Sequence, residues 1–248
     1  MICIETFVLQ FMCIITMKGS EMNVVHLKRM VYIVALASIS IVLALFEIPW
    51  FIPSGPFSVF LRLDFSDVAI LVALVTLGTK DTVFVVLLRS IVRVTFKGYI
   101  PENIIGEMIS VIAAFSVMFG YVVAAKFTKR SNKPYLVEVP FEFDPLQLKD
   151  YVTFLLSISL SLTLAMIVLN FFITTPLLLS YYGFTNNIQF EVFGFINDLS
   201  NAVEITYNTV ITFLWAVVAS YTPFNIVKGL SVTLIFLIIW PRLKYIEY

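Results

Sequence analysis

Apolar runs of membrane-crossing length recur along almost the whole chain, and they constrain its fold more than any other feature. The clear ones are 30–51, 65–79, 82–97, 104–126, 150–179 and 222–240. About 20 mostly apolar residues carry a helix across a bilayer. In lipid the backbone must satisfy its own hydrogen bonds, so such runs are helical. Composition agrees: 60% of residues are hydrophobic and 13% are charged, against about 25% charged in soluble domains. The expected fold class is all-α, an integral membrane bundle of six helices. The second and third runs are short and joined by Gly78-Thr-Lys-Asp81. Short adjoining helices are typical where a polar cavity lets them stop early.

The placement of Lys and Arg sets the orientation. Lys18, Lys28 and Arg29 precede the first run, and Lys80 lies between the second and third. Lys126, Lys129, Arg130, Lys133 and Lys149 lie between the fourth and fifth, and Arg242 and Lys244 follow the last. Six spans put all of these on one side, so both termini are expected in the cytoplasm and the chain in the cell membrane. The stretch 171–227 has no Lys or Arg but carries Glu191, Asp198 and Glu204, which places it outside. Residues 203–220 are apolar enough for a seventh span, but that would carry Arg242 and Lys244 outside. They are expected to form a short extracellular or re-entrant helix before the last span.

Residues 1–29 form an N-terminal segment, and 30–248 a single membrane domain with a polar cytoplasmic linker at 127–149. The apolar stretch Met1–Met17 reads as an interfacial helix, or as sequence upstream of a start at Met17, Met22 or Met30. Lys plus Arg equals Asp plus Glu at 16 each, so no basic field points to nucleic acid. Cys3 and Cys13 make neither a zinc pattern nor a disulfide framework. His26, the single histidine, reads as a solvated flank residue.

The polar residues within these runs carry the functional argument. In Tyr221-Thr-Pro-Phe-Asn-Ile-Val-Lys-Gly229, Pro223 suits the first turn of a helix. Asn225 and Lys228 then share one helix face. An amide and an ammonium there are costly unless they bind something. Asn170 falls at the same outer depth, where it is either an interhelical hydrogen bond or a ligand contact. Between the first two runs, Phe46-Glu-Ile-Pro-Trp-Phe-Ile-Pro-Ser-Gly-Pro56 is too rich in proline for a random linker. It leads into Leu61-Arg-Leu-Asp-Phe-Ser-Asp67. Asp64 and Asp67 suit an N-cap and the helix dipole; alternatively, the loop lids a ligand cavity. Arg89, Arg93 and Lys97 face Glu102 and Glu107 in the order of the chain, a pattern for pairing between helices.

The chain has no phosphate loop, no Gly-x-Ser-x-Gly, no His-Glu-x-x-His and no Cys-x-x-Cys. Binding or transport, with no catalytic residues, metal set or cofactor, is the expectation. An integral-membrane enzyme or a structural membrane protein is the alternative from another class; Asp64 with Asp67, or Arg89 with Glu107, would be its dyads.

These residues resemble the riboflavin-specific S components of energy-coupling factor (ECF) transporters. The resemblance runs through 30–126 and 150–244. It is carried by Ala44-Leu-Phe-Glu-Ile-Pro49, Leu63-Asp-Phe-Ser-Asp67, Gly106-Glu107, Asn170 with Pro176, and Pro223-Phe-Asn-Ile-Val-Lys-Gly229. The chain departs from the family at Arg89-Ser90, where Lys-Asn is common, at Ser110, and in a longer loop at Tyr181–Asn201. The resemblance implies a six-helix membrane protein that captures riboflavin, or with the same scaffold another vitamin, at the outer face. It also implies docking onto a transmembrane coupling subunit carried by two cytoplasmic ATPases. The ligand set implied is Asn170, Asn225 and Lys228, with Glu47, Asp64 and Asp67 from the first loop. An Asn side chain both donates and accepts, which suits the pyrimidine edge of a flavin. Phe46, Trp50 and Phe224 suit its ring faces. Small residues of the first span, Ala37, Ser40 and Ala44, are expected either to pack inside the bundle or to form the coupling face; the resemblance favours the coupling face.

Overall fold

The computed structural model describes residues 24–58, 61–129, 146–183 and 210–245. Its helices are α1 (Val24–Leu45), α2 (Ser66–Leu77), α3 (Thr79–Lys97), α4 (Pro101–Phe127) and α5 (Leu148–Leu169). A π-helical turn, Asn170–Thr174, carries α5 into α6 (Thr175–Tyr181), and α7 (Val210–Ile239) ends in a 3-10 turn, Trp240–Tyr245. Because α5 and α6 form one rod, the described residues make a bundle of six, as the apolar runs predict. Among the described residues, four rods are long and apolar enough to cross a membrane: Leu27–Leu45, Pro101–Phe127, Leu148–Tyr181 and Val210–Leu243.

The two short helices occupy different environments. At 12 residues, α2 is about 18 Å long and cannot span a bilayer. It sits at the centre of the bundle, packed by α1, α3, α4 and α7, with Val68 through Leu71 and Ala73 through Leu77 buried. Gly78 turns the chain sharply into α3 through a positive φ of 83°, a conformation that glycine takes without steric penalty. One face of α3 is apolar and exposed at Phe84, Leu87 and Ile91, while Arg89 and Arg93 are buried. The main core runs through α2, α4, α5 and α7, with Tyr121, Phe154, Phe236 and Trp240 in tilted and edge-on ring contact along it. A Cβ on Gly120 or Gly229 would meet α5 backbone at 2.7 Å, so glycine lets α4 and α7 close on α5.

Several expectations need correction. Pro223 lies inside α7 and not at a helix start. Residues 210–220 are the first turns of that same helix, not a separate re-entrant piece, and 203–209 lie outside the described residues. At 30 residues, α7 is about 45 Å long, well beyond the ~30 Å hydrocarbon core. The first helix already begins at Val24, within the segment assigned to the N-terminus. Residues 1–23, most of the linker (130–145) and most of the longer loop (184–209) are outside the described residues. Strand β1 (Ile48–Pro49) pairs antiparallel with β2 (Arg62–Leu63), a small hairpin within an otherwise helical fold. Ala37, Ser40 and Ala44 are 1%, 0% and 0% exposed, and Ser40 Oγ donates to the Ser66 carbonyl at 3.0 Å. All three are buried where α1 meets the rest of the bundle, and Ser40 ties α1 to α2. The small residues that α1 does expose are Ala35 and Ser38.

Candidate functional site: a charged cavity under a pinned lid

The loop from Phe46 to Phe65 closes one end of the bundle. Its hairpin is extended by a hydrogen bond from Trp50 N to Leu61 O at 3.0 Å. It is held on α7 at Ser220, whose hydroxyl accepts from Phe57 N at 3.2 Å and whose carbonyl accepts from Ser54 Oγ at 3.2 Å. Phe57 packs with Phe171, Leu179, Phe213, Val217 and Tyr221 into a second apolar cluster. The Trp50 ring meets Phe224 edge-on at 5.4 Å.

Beneath the lid lies a cavity of about 310 Å³, at the lower end of small-molecule sites. Asn170, Asn225, Lys228, Glu47, Asp64 and Phe224 all line it, brought together from the lid, the π-helical turn and α7. Asp67 does not line it but lies just below, in the first turn of α2. Phe46 is 69% exposed and lies outside the cavity, contrary to expectation. Arg93, Lys97, Glu107, Ser110 and Tyr221 also line the cavity. For the first three, sequence reasoning favours pairing between helices. The stripe Arg89, Arg93, Lys97, four residues apart on an otherwise apolar helix, was the available signal.

The floor is a network of buried charges. Lys228 Nζ lies 3.2 Å from Asp64 Oδ2 and 3.3 Å from Asp67 Oδ2. The second is a charge contact whose alignment falls short of a hydrogen bond. Arg89, with no exposure, donates to Ser66 Oγ at 2.9 Å and to Asp67 Oδ1 at 3.2 Å. It also reaches the Ser110 carbonyl at 3.2 Å and hydroxyl at 3.1 Å. Asp64 Oδ1 accepts from Ser66 N at 3.1 Å and from the Ser66 hydroxyl. It thus serves the first turn of α2 from one position before the N-cap, Phe65. Asp64 and Asp67 are therefore structural partners of this helix end, and Asp64 is at once a wall of the site.

The mouth is a second network. Glu47 accepts from Arg62 Nη1 at 3.1 Å, from Arg93 Nη2 at 3.0 Å and from Lys97 Nζ. Arg93 Nε lies 3.1 Å from Glu107 Oε1, again a charge contact off hydrogen-bond alignment. Burial pushes the Glu47 carboxyl up, but the Lys97, Arg62 and Arg93 cations outweigh it and hold it below its ordinary value. Burial likewise raises Asp64, and Lys228, the Ser66 hydrogen bond and Arg89 more than reverse this. Carboxyls held low in the folded state contribute stability that is complete above the ordinary carboxylate range and lost as pH falls through their folded values. On these two carboxyls, thermal unfolding in detergent should show no loss of stability from about pH 7 to pH 5 and a decline only below about pH 4. A decline already between about pH 7 and 5 would contradict this.

The two amides are held by their own helices. Asn170 Nδ2 donates to Met166 O at 2.7 Å, and its Oδ1 accepts from Thr174 Oγ1 at 2.6 Å. Asn225 Nδ2 donates to Tyr221 O at 2.8 Å. Each amide nitrogen has a second N–H, and no hydrogen bond among the described residues engages Asn225 Oδ1. The π-helical turn that begins at Asn170 is a deviation often found at functional sites. Met166, Leu178, Tyr221 and Phe224 give the same cavity an apolar side.

Comparison with known proteins places this geometry. The chain is 28% identical over 219 residues to the riboflavin transporter RibU of Streptococcus thermophilus, covering 88% of this chain and 84% of the relative. It is 26% identical to the RibU of Staphylococcus aureus, covering 90% and 94%, and 25% identical to the riboflavin transporter FmnP of Bacillus subtilis, covering 88% and 92%. A solved structure, described as giving the structure and mechanism of the S component of a bacterial ECF transporter, has the same fold. It aligns with a TM-score of 0.55 at 23% identity, covering 87% of this chain and 95% of that one. The family model for the substrate-specific component of ECF transporters matches residues 28–240. That match reaches all six helical rods and takes in every residue of the cavity, and the chain therefore belongs to the substrate-specific components of ECF transporters, membrane transporter subunits and not enzymes.

Proposed function

We propose that this chain captures riboflavin from outside the cell and delivers it through an ECF module of one transmembrane coupling subunit and two cytoplasmic ATPases. The observation that carries the reading is the cavity itself, in which Asn170, Asn225 and Lys228 meet beside an apolar wall under a pinned lid. The pyrimidine edge of an isoalloxazine presents acceptors and a donor. Asn225 offers a free carbonyl oxygen and an N–H to match it. An ammonium has three N–H donors; with Asp64 and Asp67 beside two of them, Lys228 keeps one for a carbonyl or ribityl oxygen. Phe224, Tyr221, Leu178 and Met166 suit the dimethylbenzene end.

Charge placement supports the direction of capture. Lys28, Arg29, Lys80, Lys126, Lys129, Lys149 and Arg242 all sit at or near the helix ends remote from the cavity. A cytoplasmic location of that end, and of both termini, follows from the positive-inside rule. The three relatives named for riboflavin transport favour this vitamin over others.

Titration of purified protein with quenching of flavin fluorescence tests the reading. One-to-one saturable binding is expected, and Asn225→Ala should weaken it about tenfold, the loss of one buried hydrogen-bonding group. Absence of saturable quenching, with thiamine or pantothenate binding in its place, would sink the vitamin assignment.

A further inference from the structure

We infer that Glu47 sets the ligand charge that the cavity accepts, so that the site takes an uncharged flavin and turns away its 5′-phosphate. This rests on the riboflavin reading and adds a specificity determinant to it. Three cations converge on this one carboxylate at the mouth. Their side chains grade from 67% exposed at Arg62 through 29% at Lys97 to 4% at Arg93, so Glu47 stands between solvent and floor. Across the whole lining, four cationic side chains meet four anionic ones. An uncharged ligand leaves that balance intact. A phosphate dianion entering the mouth meets Glu47 in the position it would need to occupy against Arg62, Arg93 and Lys97. Either the two anions repel at short range, or Glu47 gives up its partners inside a partly buried site. Without the Glu47 charge the same three cations would form an anion site of the kind that binds phosphate.

The test is the ratio of riboflavin affinity to riboflavin 5′-phosphate affinity, read by fluorescence quenching on the full chain. The wild type should favour riboflavin by about tenfold or more. Glu47→Gln should shrink that preference by about tenfold, the scale of one charge acting across a partly screened site. Glu47→Asp, which keeps the charge, should hold the wild-type ratio. Lys97→Gln should move the ratio the other way, further against the phosphate, and it decides the matter if Glu47→Gln does not fold. Equal binding of both flavins by the wild type overturns the inference while leaving the riboflavin reading standing. An unchanged ratio in Glu47→Gln, or a reduced preference in Lys97→Gln, overturns it as well. If the wild type binds neither flavin, the riboflavin reading falls and this inference with it.

Discussion

Replacing Lys228 by methionine is expected to abolish measurable riboflavin binding and to lower stability by about 3–5 kcal/mol, the usual consequence of leaving buried charges without their partner. Lys228 is buried and is the only cation within reach of Asp64 Oδ2 among the described residues. It also faces Asp67 Oδ2, which has no hydrogen bond of its own. Arg89 remains on the other oxygen of Asp67, so the stranded charge is mainly that of Asp64. On sequence alone Lys228 reads as a ligand contact. Its place between two aspartates changes the expectation: the fold and the ligand depend on the same ammonium. Thermal unfolding in detergent and flavin titration, run on the same preparation, separate the two effects. Lys228→Met combined with Asp64→Asn should recover much of the lost stability without recovering binding, because it removes the stranded charge but not the missing donor. If Lys228→Met unfolds like the wild type, the floor network is not what holds the lid end of α2 to α7.

The parts of this molecule that sequence made legible are those fixed by one helix at a time. Apolar length identifies the membrane-crossing rods, and the depth of Asn170, Asn225 and Lys228 within their runs puts them at one end of the bundle. What remained illegible depends on which face of a helix meets which neighbour. Ala37, Ser40 and Ala44 have the spacing that allows close helix approach, and the spacing does not say which helix approaches; in the structure all three are buried, and Ser40 bonds to α2. Arg93, Lys97 and Glu107 are visible as charges in apolar helices, but their common partner Glu47, for the two cations, lies in a loop some 50 residues earlier. Pro223 misled for a different reason. A proline inside a helix leaves one carbonyl four residues back without its donor, which argues for a helix start in water. In a membrane bundle, neighbouring groups and local adjustments make an interior proline tolerable. The turn before it is where the lid lands, at Ser220, so the residue that broke the sequence rule marks the seam of the site.

That seam supplies the second large effect. Gly55→Val should weaken riboflavin binding about a hundredfold, mostly through faster release, while the bundle itself stays folded. A Cβ at position 55 would lie 2.3 Å from Ser220 Oγ, 2.9 Å from Ser220 N and 3.0 Å from Ser220 Cα. Rotating the serine side chain relieves only the first contact, since the other two are helix backbone. The lid must therefore lift from α7. Lifting it breaks the Ser54 and Phe57 hydrogen bonds to Ser220 and pulls Trp50 from Phe224. It also moves Leu61, Arg62 and Asp64, which wall the cavity from the lid. Overpacking of this kind typically costs about 1–3 kcal/mol, and its upper part corresponds to about a hundredfold in affinity. Changes within one binding site fall mainly on the dissociation rate. The core around Tyr121, Phe154 and Phe236 belongs to a different apolar cluster from the one in which Phe57 of the lid packs. Stopped-flow displacement of bound riboflavin measures the release rate, and thermal unfolding of the ligand-free protein checks the bundle. Gly55→Ala with Ser220→Gly removes the closest contact and part of the clash, and should fall between wild type and Gly55→Val. Release at the wild-type rate from Gly55→Val would mean that ligand leaves by a path that does not involve the lid.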